Sequence, residues 1–161
     1  THNNMPLVID ADALNLLAKQ ASPKMPTRCV LTPHPGEASR LLKVSTGEIE
    51  SDRFSYVQQC AKRYSAVCVL KGAGTLIADG KHTWVCEEGS PALAVGGSGD
   101  VLTGIVGALL AQGLDCAEAT CYGVTLHAKA GDIAGQKNGE RGMLPSDLFC
   151  IVRRLINNIK P

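Results

Sequence analysis

Residues 94–104 constrain the fold of this chain more than any other stretch, and they read Ala-Val-Gly-Gly-Ser-Gly-Asp-Val-Leu-Thr-Gly. A short apolar segment leads into closely spaced glycines and an aspartate, and an apolar run over residues 101–114 follows. This order predicts a strand, a tight turn and the start of a buried helix. Glycines let backbone N–H groups approach a ligand, and a helix start carries unpaired N–H groups with partial positive charge. The turn can therefore bind phosphate.

Asp100 is the unusual residue of this turn. A carboxylate repels phosphate unless it has a second task, such as accepting a proton or holding a metal ion. The alternative is a plain glycine-rich turn in which Asp100 is an ordinary residue at a helix N-terminus. This stretch taken alone leaves both interpretations open.

The composition is that of a globular protein. The 161 residues suffice for one domain with a sizeable core, and 45% of them are hydrophobic while 19% are charged. The net charge is +1, the basic residues are scattered, and only 4% of residues are aromatic. These features argue against a nucleic-acid partner and against binding to a membrane surface.

The seven cysteines are widely spaced, and no pair forms Cys-x-x-Cys, which disfavours a zinc site. Most lie within apolar runs, as Cys68 does, so we interpret them as small buried residues in a reducing compartment. No signal peptide is visible, and the longest apolar stretch is too short to span a bilayer. We therefore expect a cytoplasmic protein.

The rest of the chain alternates short apolar strands with helical patterns. Strands are predicted over residues 7–9, 28–32, 67–70, 75–78, 82–86 and 92–95. Helices are predicted from 11 to 20, from 37 to about 43, and over 48–65, 101–114, 116–134 and 148–159. The Asp79-Gly80 pair is typical of a hairpin turn. The expected fold is one α/β domain with a mostly parallel central sheet flanked by helices and a late antiparallel hairpin.

Polar residues follow three of the predicted strands. Asp10 ends the first strand, His34 and Glu37 follow the second, and residues 71–75 follow the third. The carboxyl ends of parallel strands meet at one sheet edge, so we expect these residues to face the turn at residues 97–100. Each signal alone has a structural alternative, namely an exposed histidine in a plain turn or a solvated lysine in a flexible connection.

His127 lies in the predicted helix over residues 116–134, which has small residues on its face. A histidine in such a helix is more often a hydrogen-bonded interior residue than a ligand. We therefore expect His127 to be an interior residue.

Three of these stretches resemble the NAD(P)H-hydrate dehydratases, an ADP- or ATP-dependent family of the ribokinase-like superfamily. They are residues 31–37, 71–75 and 96–104. Residues 8–15, 127–132 and 139–148 also match, so the resemblance covers nearly the whole chain and keeps the order and spacing of the motifs.

The resemblance implies a ribokinase-like fold over residues 1–161. Family domains are longer at the N-terminus, so we expect this chain to be the C-terminal portion of such a domain. The first-strand side of its sheet would then expose apolar surface unless a partner or another subunit covers it. A homo-oligomer, specifically a tetramer, is also implied.

The activity implied by the resemblance is repair of a damaged cofactor. The hydroxyl of NAD(P)H hydrate is phosphorylated by ADP or ATP with Mg²⁺, and elimination of phosphate restores NAD(P)H. Two alternatives stay open. One is a small-molecule kinase of the same superfamily, such as a vitamin-precursor kinase. The other is a nucleotide-binding fragment without turnover.

The resemblance also implies roles for individual residues. Asp100 would take the proton of the hydrate's hydroxyl and would contact the hydrate. His34 would also contact the hydrate, and Glu37 would lie near Mg²⁺. Asp10 and Asn15 would either help to order the site or be structural only. Pro145, where the family commonly has a small residue, would matter only for entry into the last helix. The implied nucleotide-binding residues are Lys71, Gly72, Ala73, Gly74, Thr75, Gly97, Ser98 and Gly99.

Overall fold

The computed structural model describes residues 5–160. Its strands are β1 (Leu7–Ile9), β2 (Cys29–Leu31), β3 (Val67–Leu70), β4 (Thr75–Ala78) and β5 (Thr83–Cys86). Its α-helices are α1 (Ala11–Ala18), α2 (Pro35–Leu42), α3 (Thr46–Ser51), α4 (Arg53–Tyr64), α5 (Ser98–Ala111), α6 (Cys116–Asn138) and α7 (Asp147–Ile156). A short 3₁₀ helix spans Pro91–Leu93.

The strands form one sheet in the order β1-β2-β3-β4-β5. The first three are parallel, with Val30 opposite Val8 on one side and opposite Val67 on the other. β4 runs antiparallel to β3, and β5 runs antiparallel to β4. This topology confirms the predicted α/β fold with its late hairpin.

Two helical layers cover the sheet, because alternate strand residues point to opposite faces. Leu31 and Leu70 pack with α1, α2, α3 and α4 on one face. Val30 and Val69 pack with α5 and α6 on the other. A third cluster joins α6 to α7 around Leu148. The central strands are buried on both faces, which explains their uninterrupted apolar sequences.

The predicted helix over residues 48–65 is two helices. The break falls at Asp52, whose Oδ1 accepts a hydrogen bond from the Ser55 N–H at 3.0 Å and thereby caps α4. The apolar spacing of this stretch predicts that Phe54 lies in the core. Phe54 is instead 56% exposed, and the buried face of α4 begins one turn later at Val57, so this prediction is wrong.

The predicted strand over residues 92–95 is also wrong. Ser90 Oγ accepts from the Ala92 N–H at 3.0 Å, and Pro91 suits the first position of a helix, so the segment winds into the 3₁₀ helix. Helix α6 continues beyond residue 134, where the predicted helix ends. It ends at Asn138, before Gly139 with its positive φ of 87°.

Most cysteines lie in the core, as expected. Cys29, Cys60, Cys68 and Cys86 are buried, Cys116 and Cys121 are half-buried, and Cys150 is exposed; all seven are unpaired thiols. Burial raises the pKa of the Cys29 thiol to about 12, and the neighbouring Cys116 adds to the rise. Cys29 is therefore an unreactive core residue.

The first-strand side of the sheet exposes apolar side chains. β1 is an edge strand within residues 5–160, and Leu7 is 42% exposed. Met5 and Leu16 are also exposed. Among residues 5–160, no helix is both long and apolar enough to cross a membrane.

Close packing of α5 on α6 depends on Gly123. A Cβ added there would stand 2.8 Å from Val106 Cγ2, and Val106 is fully buried. We expect Gly123→Ala to lower the free energy of unfolding by about 1–2 kcal/mol, because overpacking outweighs the gain in helix propensity. Urea unfolding measures this change.

Gly104→Ala is the matched control, since Gly104 lies within α5 and a Cβ there meets nothing within 4 Å. This change is expected to raise the free energy of unfolding by about 0.5–1 kcal/mol. Equal effects of the two substitutions would contradict the packing argument.

Candidate active site at the carboxyl edge of the sheet

The glycine-rich turn ends in the N-terminus of α5. Gly97 is the residue before the helix and has a left-handed conformation, with φ 90° and ψ −13°. The Ser98 N–H donates to the Val95 carbonyl at 3.2 Å. Within the described chain, no protein group accepts from the N–H groups of Gly99 and Asp100. The helix start thus presents two unpaired donors, which is the arrangement that binds anions.

Asp100 lies in the first turn of α5 and is exposed. It does not cap the helix, because the N-cap residue is Gly97 and no side chain makes a capping hydrogen bond there. A Cβ placed on Gly97 would stand 4.0 Å from Asp100 Oδ2, so the carboxylate lies alongside the turn. The carboxylate is therefore available for chemistry beside the unpaired donors.

Pro145 packs against the same turn. Its Cγ stands 3.0 Å from the position of a Cβ on Gly97. Pro145 therefore supports the glycine turn, and the expectation that it matters only for entry into the last helix was wrong.

Lys71 is a paired residue rather than a solvated one. Its Nζ lies 2.9 Å from Asp10 Oδ1 and 3.8 Å from Glu37 Oε2. Asp10 Oδ2 accepts from Thr103 Oγ1 at 3.0 Å, which attaches the pair to α5. A Cβ on Gly99 would stand 3.5 Å from Lys71 Nζ, so the ammonium group lies beside the first turn of α5.

The charges in this cluster stabilise one another. Burial raises the pKa of Asp10, but the hydrogen bond and the positive charge of Lys71 outweigh this effect and hold the pKa below 3.8. The cluster has one ammonium group against the carboxylates of Asp10 and Glu37, and Asp100 adds a third carboxylate at the start of α5.

His34 and Glu37 form the capping box of α2. His34 Nδ1 accepts from the Gly36 N–H at 3.0 Å, and Glu37 Oε2 accepts from the His34 N–H at 2.8 Å. Glu37 Oε1 lies 3.6 Å from His34 Nε2. The Glu37 side chain is buried between His34 and Lys71, while half of the His34 side chain is exposed.

A cavity of about 540 Å³ lies at this edge. Its wall includes His34, residues 71–75, Ser98, His127 and residues 88–91. Gly97, Gly99 and Asp100 are outside the wall, at the start of α5. The structure thus brings the predicted site residues to one edge but does not place them all in the cavity. Gly97, Gly99 and Asp100 lie at the adjoining helix start, and Glu37 is buried in α2 beside Lys71.

The wall over residues 88–94 was missed by sequence reasoning. Asp132 Oδ2 on α6 accepts from the Gly89 N–H at 3.1 Å. Leu93 lies directly over Gly131, where an added Cβ would stand 2.5 Å from Leu93 Cγ. The small residues of α6 therefore let residues 88–94 pack closely against this helix. The small residues on this helix are visible in the sequence, but no sequence pattern indicates that residues 88–94 pack on them.

His127 is an interior residue, as predicted. It is 8% exposed, and its Nε2 lies 3.0 Å from the Ser98 carbonyl oxygen and 3.1 Å from Ser98 Oγ. Burial lowers its pKa below 6.5, partly offset by the hydrogen bond to the Ser98 backbone. The neutral ring donates its Nε2–H to the carbonyl and so steadies the start of α5 from inside.

Comparison with known proteins decides the family. A family model described as NAD(P)H-hydrate dehydratase matches residues 1–154. The chain belongs to the NAD(P)H-hydrate dehydratase family. The resemblance stated from its motifs is thereby confirmed.

Relatives in this family include longer proteins. The bifunctional NAD(P)H-hydrate repair enzyme Nnr of Coxiella burnetii is 49% identical over 155 residues, which are 96% of this chain and 31% of the relative. The ADP-dependent (S)-NAD(P)H-hydrate dehydratase of Neisseria meningitidis is 41% identical over 164 residues, covering 98% of this chain and 55% of the relative. The chain therefore spans about a third to about half of these curated relatives.

The fold agrees with the family. The ADP/ATP-dependent NAD(P)H-hydrate dehydratase of Bacillus subtilis, co-crystallised with ATP and Mg²⁺, superposes with a TM-score of 0.86. It is 33% identical, and the match covers 96% of this chain and 55% of that one. The architecture is ribokinase-like, as expected.

The buried His127 of this dehydratase-family chain gives a pH prediction. Its folded pKa is lowered, so the unfolded state binds more protons as the pH falls below 6.5. The stability that the neutral ring confers is present above pH 6.5 and is lost as the pH falls through the folded pKa. The advantage of the wild type over His127→Gln should therefore shrink on acidification, by at most about 1.4 kcal/mol per pH unit.

Urea unfolding of both proteins between about pH 8 and pH 5 measures this change. Thr120→Val serves as control, because Thr120 is buried in the same helix and does not titrate. Its effect on stability should be the same at each pH. A His127→Gln effect that is independent of pH would contradict the interpretation.

Proposed function

We propose that this protein repairs hydrated NADH and NADPH. It transfers a phosphoryl group from ADP or ATP to the hydroxyl of the hydrate, and elimination of phosphate then restores the nicotinamide ring. The observation that carries the proposal is the exposed Asp100 carboxylate beside two unpaired helix N–H groups at the mouth of a glycine turn. The family match and the names of the relatives support it.

The nucleotide occupies the cavity of about 540 Å³. Leu102, Val124 and Ala128 give part of its wall an apolar character suited to a base. Residues 71–75 and Ser98 bind the rest of the nucleotide, as we predicted from the resemblance, and its phosphates extend toward α5.

The phosphoryl group to be transferred lies at the start of α5. The N–H groups of Gly99 and Asp100 supply hydrogen bonds, together with the partial positive charge of the helix. Lys71 already faces two carboxylates, so its charge does not by itself balance an incoming polyphosphate.

A divalent cation fits this charge distribution. Mg²⁺ is commonly held by one or two carboxylates together with substrate phosphates. Among residues 5–160 no three His, Cys, Asp or Glu side chains form a cluster that could hold a metal ion. Glu37, whose carboxylate lies at this edge, is the proposed protein ligand of a cation that arrives with the nucleotide. That cation would neutralise phosphate charge.

Asp100 acts as general base. Its carboxylate takes the proton of the hydrate's hydroxyl while the hydroxyl oxygen bonds to the terminal phosphorus, and the nucleotide leaves with the electron pair of the broken P–O bond. The C–O bond of the new phosphate ester then breaks, and inorganic phosphate leaves with its electron pair. Loss of a proton from the neighbouring carbon restores the double bond. Phosphorylation matters because hydroxide is a poor leaving group and phosphate is a good one.

His34 contacts the hydrate. It lines the cavity, half of its side chain is exposed, and the hydrogen bond from the Gly36 N–H to Nδ1 holds its ring. A kinase for a small alcohol would use the same transfer step, but the family match favours the dehydratase.

The cellular compartment and the assembly state of the protein are proposed from other observations. The seven unpaired cysteines suit the reducing cytoplasm. The exposed apolar side chains of Met5, Leu7 and Leu16 suit a further subunit or chain segment packed on that side, as in the tetramer expected from the resemblance.

Incubation of the protein with NADH hydrate, Mg²⁺ and either ADP or ATP tests the function. The absorbance of NADH should return only when a nucleotide is present. Phosphorylation of a thiazole or pyrimidine alcohol without return of NADH would favour the kinase. Calorimetric binding of ADP without binding or turnover of the hydrate would identify a nucleotide-binding fragment.

Asp100→Asn separates chemistry from binding. The substitution removes the proposed base and one negative charge beside the phosphates, so turnover should fall by about 10²–10⁴-fold while the affinity for ADP is retained or improves. Steady-state rates and calorimetric titration measure the two effects.

Glu118→Gln is the control for this change. Glu118 is an exposed carboxylate in the first turn of α6, beside the end of α5 rather than its start. It should leave both quantities unchanged. Full activity in Asp100→Asn would exclude Asp100 as the base.

A further inference from the structure

Arg53 is a partly buried cation that the proposed mechanism does not use. It is the first residue of α4, and its side chain is 18% exposed. Its guanidinium donates to three backbone carbonyls: that of Ala73 at 2.6 Å, that of Leu70 at 3.2 Å and that of Lys71 at 3.4 Å. Three carbonyls at the connection between β3 and β4 are therefore held by the Arg53 side chain.

These contacts determine where the loop's N–H groups point. The peptide unit is planar and trans, so a carbonyl and the following N–H point in opposite directions. The carbonyls of Lys71 and Ala73 face Arg53, so the N–H groups of Gly72 and Gly74 face away from it. No group in the described residues accepts from either N–H.

The loop of residues 71–75 borders the cavity, whereas Arg53 does not line it. Two backbone donors that converge on a pocket are a common way of holding an anionic or polar ligand.

Gly72 allows the close approach of the guanidinium. It has φ 144°, and a Cβ there would stand 2.9 Å from Arg53 Nη2. An arginine suits this place because its rigid fork reaches several carbonyls at once, whereas a lysine ammonium on a flexible stem does not reproduce that geometry.

We propose that Arg53 is a positioning residue for nucleotide binding. It gathers the carbonyls of Leu70, Lys71 and Ala73 and thereby holds the Gly72 and Gly74 N–H groups toward the nucleotide, which it does not touch itself. This inference rests on the proposed function, because it requires the nucleotide to occupy the cavity.

Arg53→Lys keeps the positive charge but removes the planar guanidinium that reaches several carbonyls at once. The Kd for ADP should rise about 10- to 100-fold, the range expected when one or two charge-assisted hydrogen bonds lose their geometry. The KM for nucleotide should rise in parallel while kcat changes little. In the nucleotide-free protein, the amide NMR signals of Gly72 and Gly74 should shift, while those of the paired Val69 and Ile77 stay in place.

Arg63→Lys is the matched control, since Arg63 lies in the same helix and is exposed. It should leave the Kd for ADP and the loop signals unchanged. Arg53→Ala with millimolar guanidinium added gives a second measurement, in which ADP affinity should partly recover. Arg63→Ala should show no such response. If Arg53→Ala fails to fold, Arg53→Lys decides the question.

The outcomes separate the two proposals. A wild-type protein that binds neither ADP nor ATP contradicts the proposed function, and the role of Arg53 falls with it. If the wild type binds ADP and Arg53→Lys binds it equally well, only the role of Arg53 is overturned. Weaker binding in Arg53→Lys with unmoved Gly72 and Gly74 signals also overturns it, because the loop geometry would then be intact.

Discussion

The ion pair between Lys71 and Asp10 is the contact on which the rest of the site depends. It joins the end of β3 to the end of β1, and Thr103 and Glu37 extend it to α5 and α2. A partly buried pair of this kind stabilises only when its remaining polar atoms are satisfied, and here each carboxylate has a second donor. The pair therefore sets the position of the α5 start against the sheet edge.

This arrangement divides the tasks of the site between backbone and side chains. Since Lys71 is held by carboxylates, the turn before α5 and the loop after β3 would, in the proposed function, meet phosphate mainly through backbone N–H groups. Asp100 makes no capping hydrogen bond, so its carboxylate is left for a proton. His127 supports the same helix start from within the core, with its Nε2–H on the Ser98 carbonyl. Preorganised donors and one unengaged base are what phosphoryl transfer to a hydroxyl requires.

The sheet and its functional edge could be predicted because strand periodicity and strand-end polarity are local signals. Apolar runs such as residues 67–70 identify buried strands, and Asp10, His34 and Lys71 mark where strands end. The strand expected before the glycine turn was wrong because Ser90 and Pro91 favour a helical turn over pairing. The contact of Leu93 with Gly131 joins distant parts of the chain, and so do the hydrogen bonds from Arg53 to the carbonyls of residues 70, 71 and 73. No local pattern encodes such contacts, so only the folded structure shows them.

The fate of the hydrate's hydroxyl oxygen tests the central claim most directly. If the hydroxyl is phosphorylated at the start of α5 before it leaves, its oxygen departs as part of phosphate. NADH hydrate labelled at that hydroxyl with a heavy oxygen isotope should therefore yield labelled inorganic phosphate when the protein acts on it with ADP or ATP, as mass spectrometry would detect. Label recovered in water, with unlabelled phosphate, would show that the hydroxyl leaves without phosphorylation and would contradict the mechanism.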